Sequence, residues 1–127
     1  MGSGNAYAIY GVTGTHIEFH NLHLRNSTNS AINLTVPHIK FFTININTGG
    51  GFVAQDNWKI EGLIMDNANT IYIRGYNIQL RNVYISNSKG GGIVIGYSAI
   101  VADNISLDTV VVSGCAEKLT GDTSVGL

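Results

Sequence analysis

A loose repeat of apolar residues is the feature that most limits how this chain folds. Five repeat units start at positions that are 22, 19, 20 and 27 residues apart. In each unit the start and the positions two, five and seven residues later are apolar, although only 44% of the chain is hydrophobic. The spacing predicts strands of constant length joined by loops of variable length. The twenty residues are Ile17, Phe19, Leu22, Leu24; Ile39, Phe41, Ile44, Ile46; Trp58, Ile60, Leu63, Met65; Ile78, Leu80, Val83, Ile85; Ile105, Leu107, Val110 and Val112.

Each of the first four units continues into one further pair of apolar residues. The pairs are Ile32 with Leu34, Phe52 with Ala54, Ile71 with Ile73, and Ile93 with Ile95. The connections are too short for the crossover helix of a doubly wound parallel sheet. The sequence therefore predicts an all-β chain coiled into a parallel β-solenoid of about five turns with three short strands each. Equivalent strands should stack about 4.8 Å apart.

Polar residues recur at two corners of the predicted turn. Asn tolerates the left-handed backbone of tight corners, and its amide can bond to copies in neighbouring turns as a ladder. The triple glycines Gly49–Gly51 and Gly90–Gly92 also predict corners with positive φ. The corner residues are His16, His38, Asn57, Asn77 and Asn104 before each start, and Asn26, Thr48, Asn67, Asn87 and Gly114 nine positions after it.

Composition excludes several classes of protein. The 127 residues suffice for one domain, and seven basic residues against eight acidic ones form no electrostatic footprint for nucleic acid. No apolar run approaches the roughly 18 residues that a membrane helix needs. We therefore expect neither a nucleic-acid nor a membrane partner. The single cysteine excludes an internal disulfide.

Segments such as "THIEFHNLHLRNS" and "NIQLRNVYISNS" give the chain a resemblance to a known superfamily. From Ala6 to Leu127 it resembles the right-handed, single-stranded parallel β-helix of the pectate-lyase-like superfamily. That superfamily includes polysaccharide lyases, polygalacturonase-type hydrolases and bacteriophage tailspike or appendage proteins. The resemblance implies carbohydrate as the substrate or ligand class, a trimer as the favoured assembly, and an extracellular or virion location.

The two ends of the sequence suggest a segment of a longer protein. Residues 1–4, "MGSG", are interpreted as an expression leader, and residues 5–127 as a single β-helix segment. "AIYG" at residues 8–11 and "TSVGL" at residues 123–127 each match a third strand whose remaining turn is missing. We expect either the rest of a parent chain or other copies to cover the ends.

Catalytic residues are weakly indicated. The polygalacturonase-type patterns Asn-Thr-Asp, Asp-Asp, Gly-His-Gly and Arg-Ile-Lys do not occur in the sequence. The best carboxylate pair is Glu61 and Asp108, which share an outward column two turns apart, a separation of about 9.6 Å. Arg81 lies between them and favours ionisation of both acids, whereas a glycosidase holds one acid protonated. We interpret the three as a charge ladder and expect no active site on this segment.

No metal site or cofactor is predicted. The four histidines are His16, His20, His23 and His38, and neither a thiolate nor a carboxylate completes a ligand set around them. His16 and His38 instead occupy the corner position that later units fill with Asn. No tight cluster of Asp residues that would bind calcium occurs either.

Two outward columns become apolar toward the C-terminal half. They are Ile64, Tyr84 and Val111 on the second strand, and Val53, Tyr72 and Val94 on the third. Apolar patches of this kind mark interfaces or ligand grooves. We expect these residues to contact other copies of the chain or parts of a longer parent protein, with stacking of tyrosines on sugar rings as the alternative.

The sequence therefore predicts a structural β-helix rod from a carbohydrate-recognising protein that resembles a phage tailspike or appendage. One alternative is a polysaccharide lyase or glycoside hydrolase whose cleft lies on the β-helix face. A second is a self-assembling scaffold that stacks end to end.

Overall fold

A computed structural model describes residues 7–10, 14–96 and 102–115, which form β-strands and no helix. Consequently none of these residues belongs to a helix long and apolar enough to cross a membrane. The predicted leader at residues 1–4 and the strand candidate at residues 123–127 lie outside the described residues. The predicted strand at residues 8–11 is confirmed over most of its length, because Tyr7–Tyr10 pairs with the equivalent strand of the next turn.

The strands form two parallel sheets. Sheet A has the order β1-β3-β5-β7-β9, and sheet B the order β10-β8-β6-β4-β2. Sheet A consists of β1 (Tyr7–Tyr10), β3 (Ser30–Asn33), β5 (Phe52–Ala54), β7 (Ile71–Ile73) and β9 (Ile93–Ile95). Sheet B consists of β2 (Ile17–Arg25), β4 (Ile39–Asn47), β6 (Lys59–Asp66), β8 (Gly75–Ser86) and β10 (Ala102–Ser113).

The chain alternates between the sheets, so it is the predicted all-β parallel β-solenoid. It has about four turns rather than five. β2 with β3, β4 with β5, β6 with β7 and β8 with β9 each complete a turn, while β1 and β10 are part turns at the two ends. Each turn carries two strands instead of three, because the first two predicted strands join into one long strand of sheet B.

One residue of left-handed backbone bends each long strand and explains why the predicted strands join. It lies four positions after the start, at Asn21, Thr43, Gly62, Asn82 and Thr109, where φ is between 54° and 76°. Strict alternation would point the residue five positions after the start outward. The bend reverses the alternation, so this residue faces the core and the hydrogen-bonded ladder continues past the bend. The sequence analysis missed this corner.

The two predicted corner columns are confirmed. His16, His38, Asn57, Asn77 and Asn104 all have φ between 54° and 61°. The column nine positions after each start has φ between 51° and 61° at Asn26, Thr48, Asn67, Asn87 and Gly114. Together with the bend in the long strands, these residues therefore form three left-handed corner columns along the solenoid.

The apolar core lies between the two sheets. The second, third and fourth repeat units each contribute four inward residues, at the start and two, five and seven positions later. All twelve of these residues are at most 2% exposed. The pairing is in register, with Phe41 opposite Ile60 and Ile60 opposite Leu80. The equivalent residues of β2 and β10 are only partly buried, apart from Leu24, which is buried, and Leu107, which is exposed. The predicted inward assignment is confirmed throughout the interior turns.

The triple glycines serve a different purpose from the one predicted. Of the six, only Gly92 has a positive φ, at 83°. A β-carbon on Gly50 or Gly51 would instead overlap the backbone carbonyl of Asn29 or Thr70. The glycines are therefore needed because neighbouring turns approach closely at this corner. The approach is held by hydrogen bonds such as the one from the Gly50 N–H to Ser27 Oγ, at 3.0 Å.

Candidate interaction surfaces

Ile64, Tyr84 and Val111 form an exposed column on sheet B, which we term the apolar column. The three residues are neighbours in register on β6, β8 and β10. Their exposures are 49%, 47% and 49%, so each side chain keeps about half of its surface in water. In a molecule with few exposed large hydrophobic residues, three in succession form a stripe suited to contact with an apolar partner.

The second predicted apolar run is not an exposed surface of the same kind. Val53, Tyr72 and Val94 are in register on β5, β7 and β9 of sheet A. Val53 and Tyr72 are half-buried, and Val94 is only 3% exposed. The alternation of a strand determines which side chains point outward. It does not determine whether other parts of the chain cover the outer face. Of the two predicted runs, the column on sheet B is therefore the exposed one.

The two weak catalytic candidates lie in one outward column of sheet B with Arg81 between them, and Arg81 forms an ion pair with Asp108. Glu61 is opposite Arg81, and Arg81 is opposite Asp108, in successive turns of sheet B. Arg81 Nε lies 3.6 Å from Asp108 Oδ2, and both side chains are more than 60% exposed. An exposed ion pair of this kind contributes at most about 1 kcal/mol to stability.

Side chains at the first corner form a continuous polar stack. The rings of His16 and His38 are parallel, with centroids 4.6 Å apart. Asn57 Nδ2 lies 3.5 Å from His38 Nε2, and Asn77 Nδ2 donates to Asn57 Oδ1 at 3.1 Å. Asn104 Nδ2 donates in turn to Asn77 Oδ1. The predicted amide ladder is present, and the two histidines extend it by ring stacking.

A groove of about 270 Å³ runs beside this stack, and we term it the corner groove. One wall is the polar stack, and the other is the outward column of the first half of the long strands. That column carries one carboxylate, Glu18, and two ammonium groups, Lys40 and Lys59. The groove therefore favours a polar ligand with negative charge. Its lining residues are His16, Ile17, Glu18, His38, Lys40, Asn57, Trp58, Lys59, Asn77 and Gln79.

Glu18 is the carboxylate that lines the groove. Its Oε1 lies 3.0 Å from His20 Nε2, and its Oε2 lies 3.7 Å from Lys40 Nζ. The hydrogen bond to His20, helped by the charge of Lys40, lowers the pKa of the Glu18 carboxyl below its ordinary value of 4.5. Glu18 therefore stays ionised and partly offsets the positive charge of the groove.

The histidines do not gather into a metal site within the described ranges. No group of three or more His, Cys, Asp or Glu side chains suited to holding a metal ion occurs there. His16 and His38 stack on each other, and His20 stacks on Phe42 with ring centroids 4.8 Å apart. Ring stacking therefore engages three of the four histidines.

Sequence reasoning missed the corner groove because it treated the two walls separately. The corner residues were assigned to a ladder, and the column one position after each start was not considered. The signal was available, since Lys40 and Lys59 stand one position after their starts in consecutive turns. Parallel stacking brings such residues together.

Comparison with known proteins adds no identification. No family model matches the sequence, and neither curated proteins nor solved structures give a significant match. The solenoid fold therefore rests on the repeat and on the strand pairing, and the resemblance to the pectate-lyase-like superfamily stays a prediction.

Proposed function

We propose that this chain is a structural rod segment of a carbohydrate-recognising protein similar to a phage tailspike or appendage, with no active site of its own. On this proposal it works outside the cell or on a virion. The observation that supports the rod is the unbroken register of sheet B, in which five strands stack in parallel over a core that is almost fully buried in the interior turns.

We propose further that the apolar column is the lateral contact of the rod, with a trimer as the favoured assembly. In-register stacking of β6, β8 and β10 places Ile64, Tyr84 and Val111 along the rod axis, so rods lying side by side bury all three together. A rotation axis parallel to the rod would give every copy the same contact. In a longer parent protein, another part of that chain takes the place of the second copy.

The size of the column limits how strong this contact can be. Complete burial of such a side chain contributes about 1.5 to 3 kcal/mol, and about half of that surface is still available here. Three residues then contribute about 2 to 5 kcal/mol per chain, against association costs of about 4 to 15 kcal/mol. Isolated segments should therefore associate weakly, and measurements need high protein concentration.

Sedimentation velocity over a range of concentrations tests the lateral contact. The double variant Ile64→Lys/Tyr84→Lys should lose a closed oligomer that the unmodified protein forms, with its β-rich circular dichroism unchanged. The matched control Thr35→Lys/Gln79→Lys adds the same charge at exposed positions away from the column and should associate normally. Equal association of both double variants and the unmodified chain would refute the lateral contact.

The proposed lack of an active site is tested by enzymology. The unmodified chain, Glu61→Gln and Asp108→Asn should all leave a panel of acidic and neutral polysaccharides intact. The supporting contact is the ion pair of Arg81 with Asp108, since a nearby guanidinium favours the ionised acid. Depolymerisation by the unmodified chain that is lost in either variant would establish a polysaccharide lyase or hydrolase instead.

A second candidate function is recognition of an acidic polysaccharide in the corner groove. It is favoured by the two lysines and the amide-rich wall. Titration calorimetry with an oligogalacturonate tests it. Lys40→Gln/Lys59→Gln should abolish any heat of binding, while Lys89→Gln, at a different corner, should retain it. Unaltered binding by the double variant would exclude the groove as the site.

A further inference from the structure

We propose that the side-chain ladder at the first corner reverses its direction when His38 takes up a proton, so that protonation in one turn rearranges side chains three turns away. We term this ladder of His38, Asn57, Asn77 and Asn104 the corner ladder. Its members stand immediately before the starts of successive turns. The reversal is a property of the unliganded chain and depends on neither proposed function.

All the amides of the corner ladder donate in the same direction. Asn104 Nδ2 donates to Asn77 Oδ1, and Asn77 Nδ2 donates to Asn57 Oδ1 at 3.1 Å. Asn57 Nδ2 lies 3.5 Å from His38 Nε2. An amide nitrogen only donates hydrogen bonds, so His38 Nε2 accepts this one through its lone pair. The direction seen in the structure therefore requires a neutral His38 whose proton is on Nδ1.

The two stacked histidines differ in what a proton does to their hydrogen bonds. Thr15 Oγ1 donates its single proton to the Pro37 carbonyl oxygen at 3.1 Å. It also lies 3.2 Å from His16 Nδ1, so the ring nitrogen is the donor of that bond. His16 keeps the bond in its neutral and its charged form, because Nδ1 carries a proton in both. Proton uptake at His38, by contrast, removes an acceptor.

A proton on His38 Nε2 brings two donors face to face at the end of the ladder. Rotation of the Asn57 amide by about 180° about χ2 restores the bond, because Oδ1 then accepts from His38. The rotated Asn57 turns its Nδ2 toward Asn77 Nδ2, so Asn77 and then Asn104 rotate for the same reason. Both directions contain the same number of hydrogen bonds, and the reversed one gains a charged donor, which makes a stronger bond.

The dipoles of the amides favour the reversal as well. In the observed direction their N–H ends point toward His38, which disfavours a cation there, whereas the reversed ladder points its oxygens toward the ring. Of the ionisable side chains around His38, only the histidines ordinarily change charge between about pH 5 and pH 8. These side chains are His16, stacked on the ring; Glu18 of β2, with His20 bonded to it; Lys40 of β4; Lys59 of β6; and Asp56, whose carbonyl oxygen accepts from the His38 backbone N–H.

Reversal also changes one wall of the corner groove. Asn57 and Asn77 line the groove, and rotation exchanges the donor and the acceptor that each amide presents beside the ladder. The groove gains the positive charge of His38 at the same time. Acid should therefore strengthen the binding of an acidic polysaccharide there. This consequence alone rests on the second candidate function.

NMR of the unliganded protein tests the reversal. The side-chain amide signals of Asn57, Asn77 and Asn104 should all shift with protonation of the His38 ring between about pH 8 and pH 5, with one shared midpoint. NOEs from the Asn57 Nδ2 protons to the His38 ring should be present at the upper pH and lost at the lower one. A His38 ring that stays neutral throughout, or a response confined to Asn57, would overturn the reversal.

Three variants separate the ladder from other effects of pH. His38→Asn places the residue of the later turns in the ladder and should abolish the shared response, whereas the matched control His16→Asn should retain it. Asn77→Gly removes one amide at a position where φ is 56°, which glycine adopts without strain. In that variant Asn57 should still respond to pH and Asn104 should not. A response of Asn104 that persists in Asn77→Gly or in His38→Asn would refute transmission through the ladder.

Discussion

The interior turns and the end turns of this solenoid have the same apolar pattern but very different burial. Leu80 and Leu107 occupy the same column and are paired directly, yet Leu80 is 1% exposed and Leu107 is 37% exposed. The pattern determines which way a side chain points. How much surface it buries depends on whether turns lie on both sides of it, and that is a property of its place in the stack.

The largest expected effect is in the interior. Leu80→Ala should lower the free energy of unfolding by about 2 to 5 kcal/mol, because it leaves a cavity between Ile60 and the turn beyond. Denaturant unfolding followed by circular dichroism measures the change. Gln79→Ala, one residue away and exposed, is the matched control and should stay within about 0.5 kcal/mol. Equal losses in the two variants would mean that the inward assignment is displaced by one residue.

The same truncation at the end should cost less. Leu107→Ala is expected to lower the free energy of unfolding by about 1 kcal/mol, since the side chain is already partly in water and the outer strand can relax. The measurement must be made at a concentration where the protein is monomeric. A loss as large as that of Leu80→Ala would show that the end turn is covered as completely as the interior turns. The difference in burial between Leu80 and Leu107 would then not hold.

An effect of similar size but opposite sign is expected at the bend of the long strands. Thr43 has a φ of 59°, and a β-branched residue is strained in this region, whereas Asn adopts it readily. Thr43→Asn should therefore raise the free energy of unfolding by about 1 kcal/mol. Thr109→Asn, at the same corner of the end turn, should gain less because the outer turn opens locally before the whole chain unfolds. Thermal unfolding of both variants measures the two stabilisations. A larger stabilisation by Thr109→Asn than by Thr43→Asn would contradict the expectation.

The smallest expected effect is the loss in acid of the stabilisation that ionised Asp66 provides. Asp66 Oδ1 accepts hydrogen bonds from Asn87 Nδ2 at 2.9 Å and from Ser86 Oγ at 3.0 Å, and these bonds lower the pKa of the carboxyl below its ordinary value of 3.8. The stabilisation is present above the pKa of the unfolded chain and is lost as pH falls through the lower folded value. Asp66→Ala should therefore lower the melting temperature at neutral pH and make little difference in strong acid. A constant difference at every pH would show that the charge of Asp66 plays no part.

Sequence alone predicted the features that stacking imposes on every turn. The apolar columns repeat without exception, and the two corner columns rich in Asn stand at fixed distances from each start, so both the inward faces and two of the corners could be placed. The third corner was missed because Thr43 and Thr109 are poor left-handed residues and mask the signal of Asn21 and Asn82. Thr disfavours the left-handed conformation, but Thr43 and Thr109 adopt it because the bend must reverse the alternation of the strand.

Features that depend on contacts between distant segments were harder to predict. Val94 alternates outward as Tyr72 and Val53 do, and nothing in its immediate sequence indicates that it is buried. Gly50 and Gly51 were assigned to positive φ, whereas the structure requires them for the approach of the Asn29 and Thr70 carbonyls. The corner groove was likewise missed, because its walls form only when the residues just before and just after each start are stacked over several turns.

The parallel pairing of successive turns also gives the molecule a mechanical direction. Hydrogen bonds within a sheet run from strand to strand and hence along the rod, while covalent backbone runs around it. A force pulling on the two ends would load the hydrogen bonds between turns one junction at a time, whereas a force across the rod would meet the continuous chain of each turn. The solenoid should therefore lengthen under axial tension by releasing whole turns one at a time, each step set by the number of residues in that turn, while resisting compression across the rod.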